Sequence, residues 1–175
     1  MRQIDHYSWE MVDRLTRRLA SSIREPFDAM VCVLRGGAVP GAILANELGI
    51  DLMMGMKVVQ NGQVTGVGKV GVAYEAQKAV VRVPLNDVSL AGKRVLVVDD
   101  VLDSGETAAV VVDEVRRRGA ALVKLATLQI KTYSRFKPDY FVEEVTNWIF
   151  YPWMSARELG EMEERLRALE QVSEE

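Results

Sequence analysis

The chain has 175 residues, enough for one domain with a buried core, and 49% of them are hydrophobic and 27% charged, as in globular proteins. The formal net charge of −3 gives no electrostatic reason to expect nucleic acid or an anionic membrane as the main partner. No apolar run approaches the length of a membrane span, the first residues lack a signal-peptide pattern, and one cysteine excludes an intrachain disulfide. A cytoplasmic location is therefore expected.

The first predicted element is an amphipathic helix. Ser8 is a suitable N-cap for a helix that runs to about residue 24. Pro26 follows and prevents the helix from continuing. Its apolar face carries Val12, Leu15, Leu19 and Ile23. A buried strand is predicted at residues 27–34, within which residues 29–34 are an apolar run. His6 has no identifiable partner, and we expect it to lie exposed in a frayed N-terminus.

A turn and a second helix follow this strand. Arg35 is followed by Gly36 and Gly37, and the helix is predicted from about residue 42 to residue 47, ending at Gly49. The two glycines expose their amides, and arginine presents a planar fork of donors, so the junction suits a phosphate. Arg-Gly-Gly alone fits a plain tight turn equally well.

Residues 51–84 are β-like and contain five glycines, and Asn61-Gly62 is typical of a β-hairpin. An ordinary exposed hairpin explains this pattern as well as a loop over a ligand site does. Lys69, Tyr74 and Lys78 are the side chains here that could contact a ligand, and the sequence does not choose among them.

The central feature of the sequence is an apolar strand that leads into a cluster of acids. Residues 95–98 predict a strand buried on both faces, as in a parallel sheet, that ends at Asp99 and Asp100. The turn after them is polar, and a helix is predicted from residue 107 to residue 118. This turn contains Asp103, Ser104, Gly105, Glu106 and Thr107.

A strand, a polar turn and a helix start together favour anion binding. The unpaired amides of the first helical turn and the helix dipole attract negative charge. Ser104 and Thr107 add hydroxyl donors, and Gly105 allows close approach of the backbone. The acids would repel a bare phosphate, so the combination suits a sugar phosphate held with a divalent metal. Simple capping of the helix by these residues is the alternative.

Two further strands and an aromatic segment follow. Residues 121–130 predict a strand with Lys131 at its carboxyl end, where open α/β sheets bind ligands. Residues 140–144 predict a short strand, and the aromatic segment 146–153 fits a core, an interface or a ligand site. The arginines at 116–118 are typical of a capped helix C-terminus.

The last predicted element is a helix from residue 155 to about residue 171, which Ser155 and Glu158 open as a capping box. Its apolar stripe packs either on the domain or on another subunit, and the sequence does not choose between them. The stripe consists of Leu159, Met162, Leu166 and Leu169.

Three motifs, in order along the chain, resemble type I phosphoribosyltransferases. Residues 95–107 resemble the motif that binds phosphoribosyl pyrophosphate (PRPP): an apolar strand, two acids, two apolar residues, then Asp-Ser-Gly-x-Thr. Residues 33–50 resemble the pyrophosphate loop of bacterial xanthine-guanine enzymes and their archaeal relatives. Trp-Ile-x-x-Pro-Trp at 148–153 resembles their base-binding segment. The resemblance extends from about residue 7 to residue 153.

The resemblance implies a single α/β domain over residues 1–175 with the type I phosphoribosyltransferase fold, a parallel central sheet flanked by helices. A small hood would be built from about 55–84 and 131–153, with a C-terminal helix at about 155–171. The family's mobile lid would lie within 51–84. This chain departs there, since it has Val-Val-Gln-Asn-Gly at 58–62 where several relatives have a Ser-Tyr pair. A cis peptide between Leu34 and Arg35 is also expected.

The implied activity is transfer of the phosphoribosyl group of PRPP to a 6-oxopurine (guanine, hypoxanthine or xanthine), with Mg²⁺ as cofactor and a homodimer or higher homo-oligomer as the assembly. A phosphoribosyltransferase for adenine or uracil remains an alternative. So does a non-catalytic regulator that senses nucleotides with the same fold. A receiver domain fits less well, since its acidic pair should follow the first strand.

By the same resemblance, Arg35 and the amides of Gly36 and Gly37 bind pyrophosphate, while Asp99 and Asp100 bind the ribose hydroxyls or Mg²⁺, directly or through water. The 5′-phosphate is held by residues of the polar turn, Leu102, Asp103, Ser104, Gly105, Glu106 and Thr107.

The resemblance also implies a base site. Asp103 lies beside the imidazole edge of the base and acts as the general base. Lys131 binds the exocyclic oxygen that 6-oxopurines share and adenine lacks. Trp148 stacks on the purine, and the backbone of Ile149 reads its edge.

Overall fold

The computed structural model describes residues 3–60, 79–85 and 88–173. The strands are β1 (Ile4–His6), β2 (Ala29–Val33), β3 (Met53–Gln60), β4 (Ala79–Val83), β5 (Arg94–Leu102), β6 (Leu122–Lys131), β7 (Tyr140–Val145) and β8 (Trp148–Phe150). The helices are α1 (Trp9–Ser22), α2 (Ala38–Leu48), α3 (Glu106–Arg117) and α4 (Ala156–Ser173). The Asn61-Gly62 turn, the side chains of Lys69, Tyr74 and Lys78 and much of the predicted lid lie outside the described residues.

A six-stranded sheet in the order β4-β3-β2-β5-β6-β7 forms the centre of the fold. Its strands are parallel except for β4, which pairs with β3 in the antiparallel sense. Strand β2 is buried along its whole length, and Val95 to Val98 of β5 are fully buried. Continuous apolar runs of this kind are what a parallel sheet covered on both faces requires.

Alternate side chains of the central strands enter two apolar clusters on opposite faces of the sheet. Helices α1 and α2 cover one face, where Leu19 and Leu44 pack with Leu96 and Val98. Helix α3 covers the other face, where its valines pack with Val97 and other residues of the sheet. The turn at the start of α3 is thereby fixed at the carboxyl ends of the strands, the edge at which open α/β sheets bind ligands.

The prediction that the central strand ends at its acids is wrong. Strand β5 continues through Asp99 and Asp100 to Leu102, because its ladder with β6 continues to the pair Leu102–Ile130. Backbone pairing does not depend on whether a side chain is apolar, so the polar residues did not end the strand.

Helix α2 begins earlier than expected, at Ala38, and therefore includes Pro40 in its first turn. Proline is tolerated there because the amide it lacks would have no partner within the helix. The capping predictions are confirmed, since the Met11 amide donates to the Ser8 hydroxyl at 3.2 Å, and the Ser155 amide donates to Glu158 at 2.7 Å.

The expectation of a frayed N-terminus is wrong. Strand β1 pairs in parallel with β8, and the rings of His6 and Phe150 lie 5.3 Å apart. The β1–β8 pair forms a separate two-stranded sheet that carries the aromatic segment. Three residues were too few for the alternation of a strand to be recognised.

A buried polar network connects this small sheet to the main one. Tyr151, which is 1% exposed, donates its hydroxyl proton to Gln129 Oε1 at 2.5 Å and lies 3.3 Å from the Asp100 carbonyl oxygen. Gln129 Nε2 in turn donates to Glu143 at 3.1 Å, and the Tyr7 hydroxyl donates to the same carboxylate at 3.4 Å. The network places the aromatic segment relative to the acidic end of β5.

Helix α4 lies apart from both apolar clusters. Three residues of its stripe are half-buried and Leu169 is 38% exposed, and none of them belongs to either cluster of the described chain. No helix in the described ranges is long and apolar enough to cross a membrane.

We expect Tyr151→Phe to lower the free energy of unfolding by about 1–3 kcal/mol, because removal of the hydroxyl leaves the buried Gln129 amide oxygen without its donor. Urea denaturation followed by circular dichroism measures this change. An unfolding midpoint equal to that of the wild type would contradict the network's contribution.

Candidate active site

The carboxyl ends of β2, β5 and β6 meet at one edge of the sheet, and each ends in residues that the sequence analysis selected. Arg35 follows β2, the polar turn follows β5, and Lys131 is the last residue of β6. Trp148 and Ile149 belong to β8, in the small sheet that the polar network connects to this edge.

The loop after β2 packs against the end of β5 without space for side chains. A Cβ atom on Gly36 would lie 2.2 Å from Asp100 Oδ2, and one on Gly37 would lie 2.3 Å from the Val98 carbonyl oxygen. The Leu34–Arg35 peptide is cis, as expected. The Gly37 amide donates to the Val33 carbonyl at 2.9 Å, so it is engaged within the loop in this conformation.

Arg35 points to the C-terminal helix. Its guanidinium donates to Glu158 at 3.0 Å, and 76% of its side chain is exposed. Hydrogen bonds from Ser155, together with the charge of Arg35, lower the pKa of Glu158. The sequence predicted the capping box but not its contact with Arg35, because 123 residues separate the two partners.

The two acids at the end of β5 are adjacent and largely enclosed. Asp99 is 8% exposed and accepts a hydrogen bond from the Asp100 amide at 3.0 Å. Burial, and then the neighbouring Asp100 carboxylate, raises the pKa of Asp99 well above its usual range. Burial also raises the pKa of Asp100. Two enclosed carboxylates are unfavourable as a pair of anions, so the site favours a cation.

The polar turn encloses a cavity of about 110 Å³ at the start of α3. The cavity is lined by Asp99, Val101, Leu102, Asp103, Ser104, Gly105, Thr107 and Ala108. Gly105 has φ of 87°, a conformation that favours glycine. Glu106, a predicted phosphate-binding residue, is the first residue of α3, and its amide lies 3.4 Å from the Ser104 hydroxyl oxygen. The motif at residues 95–107 therefore lines a cavity, and the N-terminus of α3 forms one side of it.

The candidate base-binding residues belong to the end of β6 and to β8 of the small sheet. Lys131 is 5% exposed, and its ammonium donates to the carbonyl of Asn147, the residue before Trp148. The Trp148 amide donates to Gln3 in the direction of β1. Because peptide groups alternate along a strand, the N–H and C=O of Ile149 point away from β1, toward the open edge of β8.

Sequence reasoning missed the segment that closes the polar turn from the other side. The Tyr133 hydroxyl donates to Asp103 Oδ1, and the Arg135 amide lies 3.4 Å from the Ser104 carbonyl oxygen. A Cβ atom on Gly105 would lie 2.4 Å from Phe136 Cβ. No periodicity or motif marks these residues, since they lie in the loop that connects β6 to β7.

These features define an α/β protein with a polar turn at a helix N-terminus, an acidic strand end and an arginine-glycine loop at the carboxyl edge of a mainly parallel sheet. Residues 7–156 match the model of the phosphoribosyl transferase domain family, and the chain belongs to that family. The predicted type I phosphoribosyltransferase fold is confirmed.

Similar proteins include named enzymes. The chain is 31% identical over 162 residues to a xanthine-guanine phosphoribosyltransferase of Gluconobacter oxydans (strain 621H), and the match covers 88% of each chain. It is 33% identical to a purine phosphoribosyltransferase from Pyrococcus horikoshii OT3 of known structure, with a TM-score of 0.74 over 87% of this chain and 95% of the other.

Another similar structure was solved with a bound nucleotide. A hypothetical protein from Neisseria gonorrhoeae, solved with bound ppGpp, is 26% identical, with a TM-score of 0.71 and 98% coverage of both chains.

We expect Gly37→Ala to destabilise the fold by about 1–3 kcal/mol, because its Cβ would meet backbone carbonyl oxygens that cannot rotate away. The matched control is Gly160→Ala in α4, where an added Cβ meets nothing within 4 Å and alanine is the better helix former. Thermal unfolding of both variants provides the comparison. Equal melting temperatures for the two would contradict the close packing of the loop.

Proposed function

We propose that the chain transfers the phosphoribosyl group of PRPP to a 6-oxopurine base, releasing pyrophosphate and forming the nucleoside monophosphate. The observation that supports this proposal most directly is a hydrogen bond of Lys131, at the end of β6. Lys131 donates to the carbonyl of Asn147, the residue before Trp148. This contact puts a cationic donor on the backbone of the residue before Trp148, at the same edge of the sheet as the polar turn. The named activities of the Gluconobacter and Pyrococcus relatives support this choice.

The polar turn is suited to the 5′-phosphate of PRPP. The amides at the start of α3 and the hydroxyls of Ser104 and Thr107 are donors that surround the cavity. Gly105 is packed against Phe136, so the backbone of the turn is fixed before the ligand arrives. A fixed set of donors reduces the ordering cost of binding.

The arginine-glycine loop is suited to the pyrophosphate. Arg35 is exposed and pairs with one carboxylate, Glu158, which a ligand with more negative charge would replace. The Gly36 amide is the loop donor nearest in sequence to Arg35, whereas the Gly37 amide is bonded to Val33. Rearrangement of the loop would be needed for both amides to take part.

Asp99 and Asp100 fit a magnesium ion that is held partly through substrate oxygens. Magnesium is typically bound by one or two carboxylates together with water and phosphate. No cluster of three or more acidic, histidine or cysteine ligands occurs in the described residues, which agrees with such a shared site. When bound, the ion would neutralise charge on the departing pyrophosphate.

We assign Asp103 the role of the general base. A nitrogen of the purine attacks the anomeric carbon, the bond from that carbon to pyrophosphate breaks, and the base must lose a proton. The Asp103 carboxylate is exposed at the mouth of the turn and accepts a hydrogen bond from the Tyr133 hydroxyl. The carboxylate would take that proton as the new bond forms.

The base would lie against Trp148, with its exocyclic oxygen toward Lys131. An ammonium group has three protons, so Lys131 can keep its bond to the Asn147 carbonyl while donating to the base. The N–H and C=O of Ile149, which point away from β1, offer one donor and one acceptor to the edge of the purine ring. We place the reaction in the cytoplasm and the chain in a homodimer or higher homo-oligomer, for which the stripe of α4, outside both apolar clusters of the described chain, is available.

A pyrophosphate-release assay with PRPP and Mg²⁺ tests the reaction, with guanine, hypoxanthine, xanthine, adenine and uracil offered separately. We expect turnover with 6-oxopurines and none with adenine or uracil. Turnover with adenine or uracil alone would keep the PRPP site and refute the base site. Addition of excess EDTA should abolish the activity.

We expect Lys131→Ala to lower kcat/KM for guanine by about 10- to 100-fold, the size of one lost hydrogen bond from a charged donor. The matched control is Lys124→Ala, which removes an ammonium from the opposite end of the same strand, where it pairs with Asp139 at 2.8 Å. The control should keep wild-type kinetics. A Lys131→Ala enzyme that folds normally and keeps full kcat/KM would exclude this lysine from the base site.

The Neisseria structure favours a second candidate, the sensing of a guanine nucleotide. The nucleotide ppGpp combines a 6-oxopurine with a ribose that carries diphosphates, which are the groups that the proposed site would bind. We expect ppGpp to inhibit pyrophosphate release competitively with PRPP. Binding of ppGpp measured by calorimetry, without turnover of any base, would favour the regulator over the enzyme.

A further inference from the structure

The segment between β6 and β7 is fixed against the polar turn at several points. The Ser134 amide donates to the Lys131 carbonyl at 2.9 Å, and its hydroxyl donates to the Phe136 carbonyl at 3.1 Å. Phe136 then packs where a Cβ of Gly105 would otherwise lie. Residues 132–136 are therefore held as a tight turn whose two ends both rest on parts of the proposed site.

Tyr133 lies in this turn and places its phenol on the Asp103 carboxylate. Its hydroxyl donates to Asp103 Oδ1, and the residue is 54% exposed. A ring with so much of its surface in water contributes little to core packing. The phenol contacts the carboxylate of the proposed general base, which places it within reach of the proton transfer.

Building on the proposed function, we propose that Tyr133 is a positioning residue that orients the Asp103 carboxylate for proton transfer. A carboxylate on an exposed turn rotates freely, and a donor on one oxygen restricts that rotation and leaves the second oxygen for the proton of the base. Lys131 lies two residues earlier in the chain. Residues 131–133 would therefore both contact the purine base, through Lys131, and orient the carboxylate that accepts its proton, through Tyr133.

The first test is Tyr133→Phe, which deletes only the hydroxyl. We expect kcat with guanine to fall about tenfold, while the KM values for guanine and PRPP stay within about twofold, because orientation of a proton acceptor matters in the transition state rather than in substrate binding. The control is Tyr140→Phe, which deletes a phenol bonded to Glu25 at the start of β7. This control should leave kcat unchanged.

The second test repeats Tyr133→Phe in an Asp103→Ala background, where a role through Asp103 predicts no further fall in kcat. A further fall as large as in the wild-type background would show that Tyr133 acts elsewhere and would overturn the proposal. So would an unchanged kcat in the single variant, or a loss that appears only as a raised KM.

Failure of this inference is distinguishable from failure of the proposed function. A wild-type protein that turns over none of the five bases refutes the function itself. An active wild-type protein whose Tyr133→Phe variant has an unchanged kcat refutes only the positioning role.

Discussion

The close packing of the glycine loop on the acidic end of β5 is the constraint on which the site depends. Gly36 lies against the Asp100 carboxylate and Gly37 against the Val98 carbonyl, with no room for a Cβ atom at either position. The arginine-glycine motif and the acidic motif are far apart in sequence, yet each limits the other. Because Arg35 directly precedes this contact, its position depends on the same packing.

The acids at this junction have an electrostatic cost that the fold only partly offsets. Each accepts a backbone amide at 3.0 Å, while burial raises the pKa of both carboxyl groups. The Asp100 carbonyl is held separately by the Thr127 hydroxyl at 2.9 Å and approached by Tyr151. The main chain is therefore well fixed while the carboxylates still favour a cation. A site of this kind has an ordered backbone before its ligands bind, and a bound cation would balance the charge of its carboxylates.

Features that depend on residue type and local spacing could be predicted from the sequence, and those that depend on distant contacts could not. The buried strand, the polar turn and the caps at Ser8 and Ser155 follow from local rules. The extension of β5 beyond Asp99 depends on pairing with β6, and the order of the N-terminus depends on pairing with β8. Tyr133 was missed for the same reason, since its contact with Asp103 crosses 30 residues.

The contact between Arg35 and Glu158 shows how the C-terminal helix can reach the site without blocking it. An ion pair whose arginine side chain is 76% exposed contributes at most about 1 kcal/mol. A diphosphate offers the same guanidinium more charge and bidentate geometry, so it would displace the carboxylate at small cost. Glu158 would then keep its hydrogen bonds to Ser155, and the first turn of α4 would stay capped. The weakness of this pair is thus what makes it compatible with a binding role for Arg35.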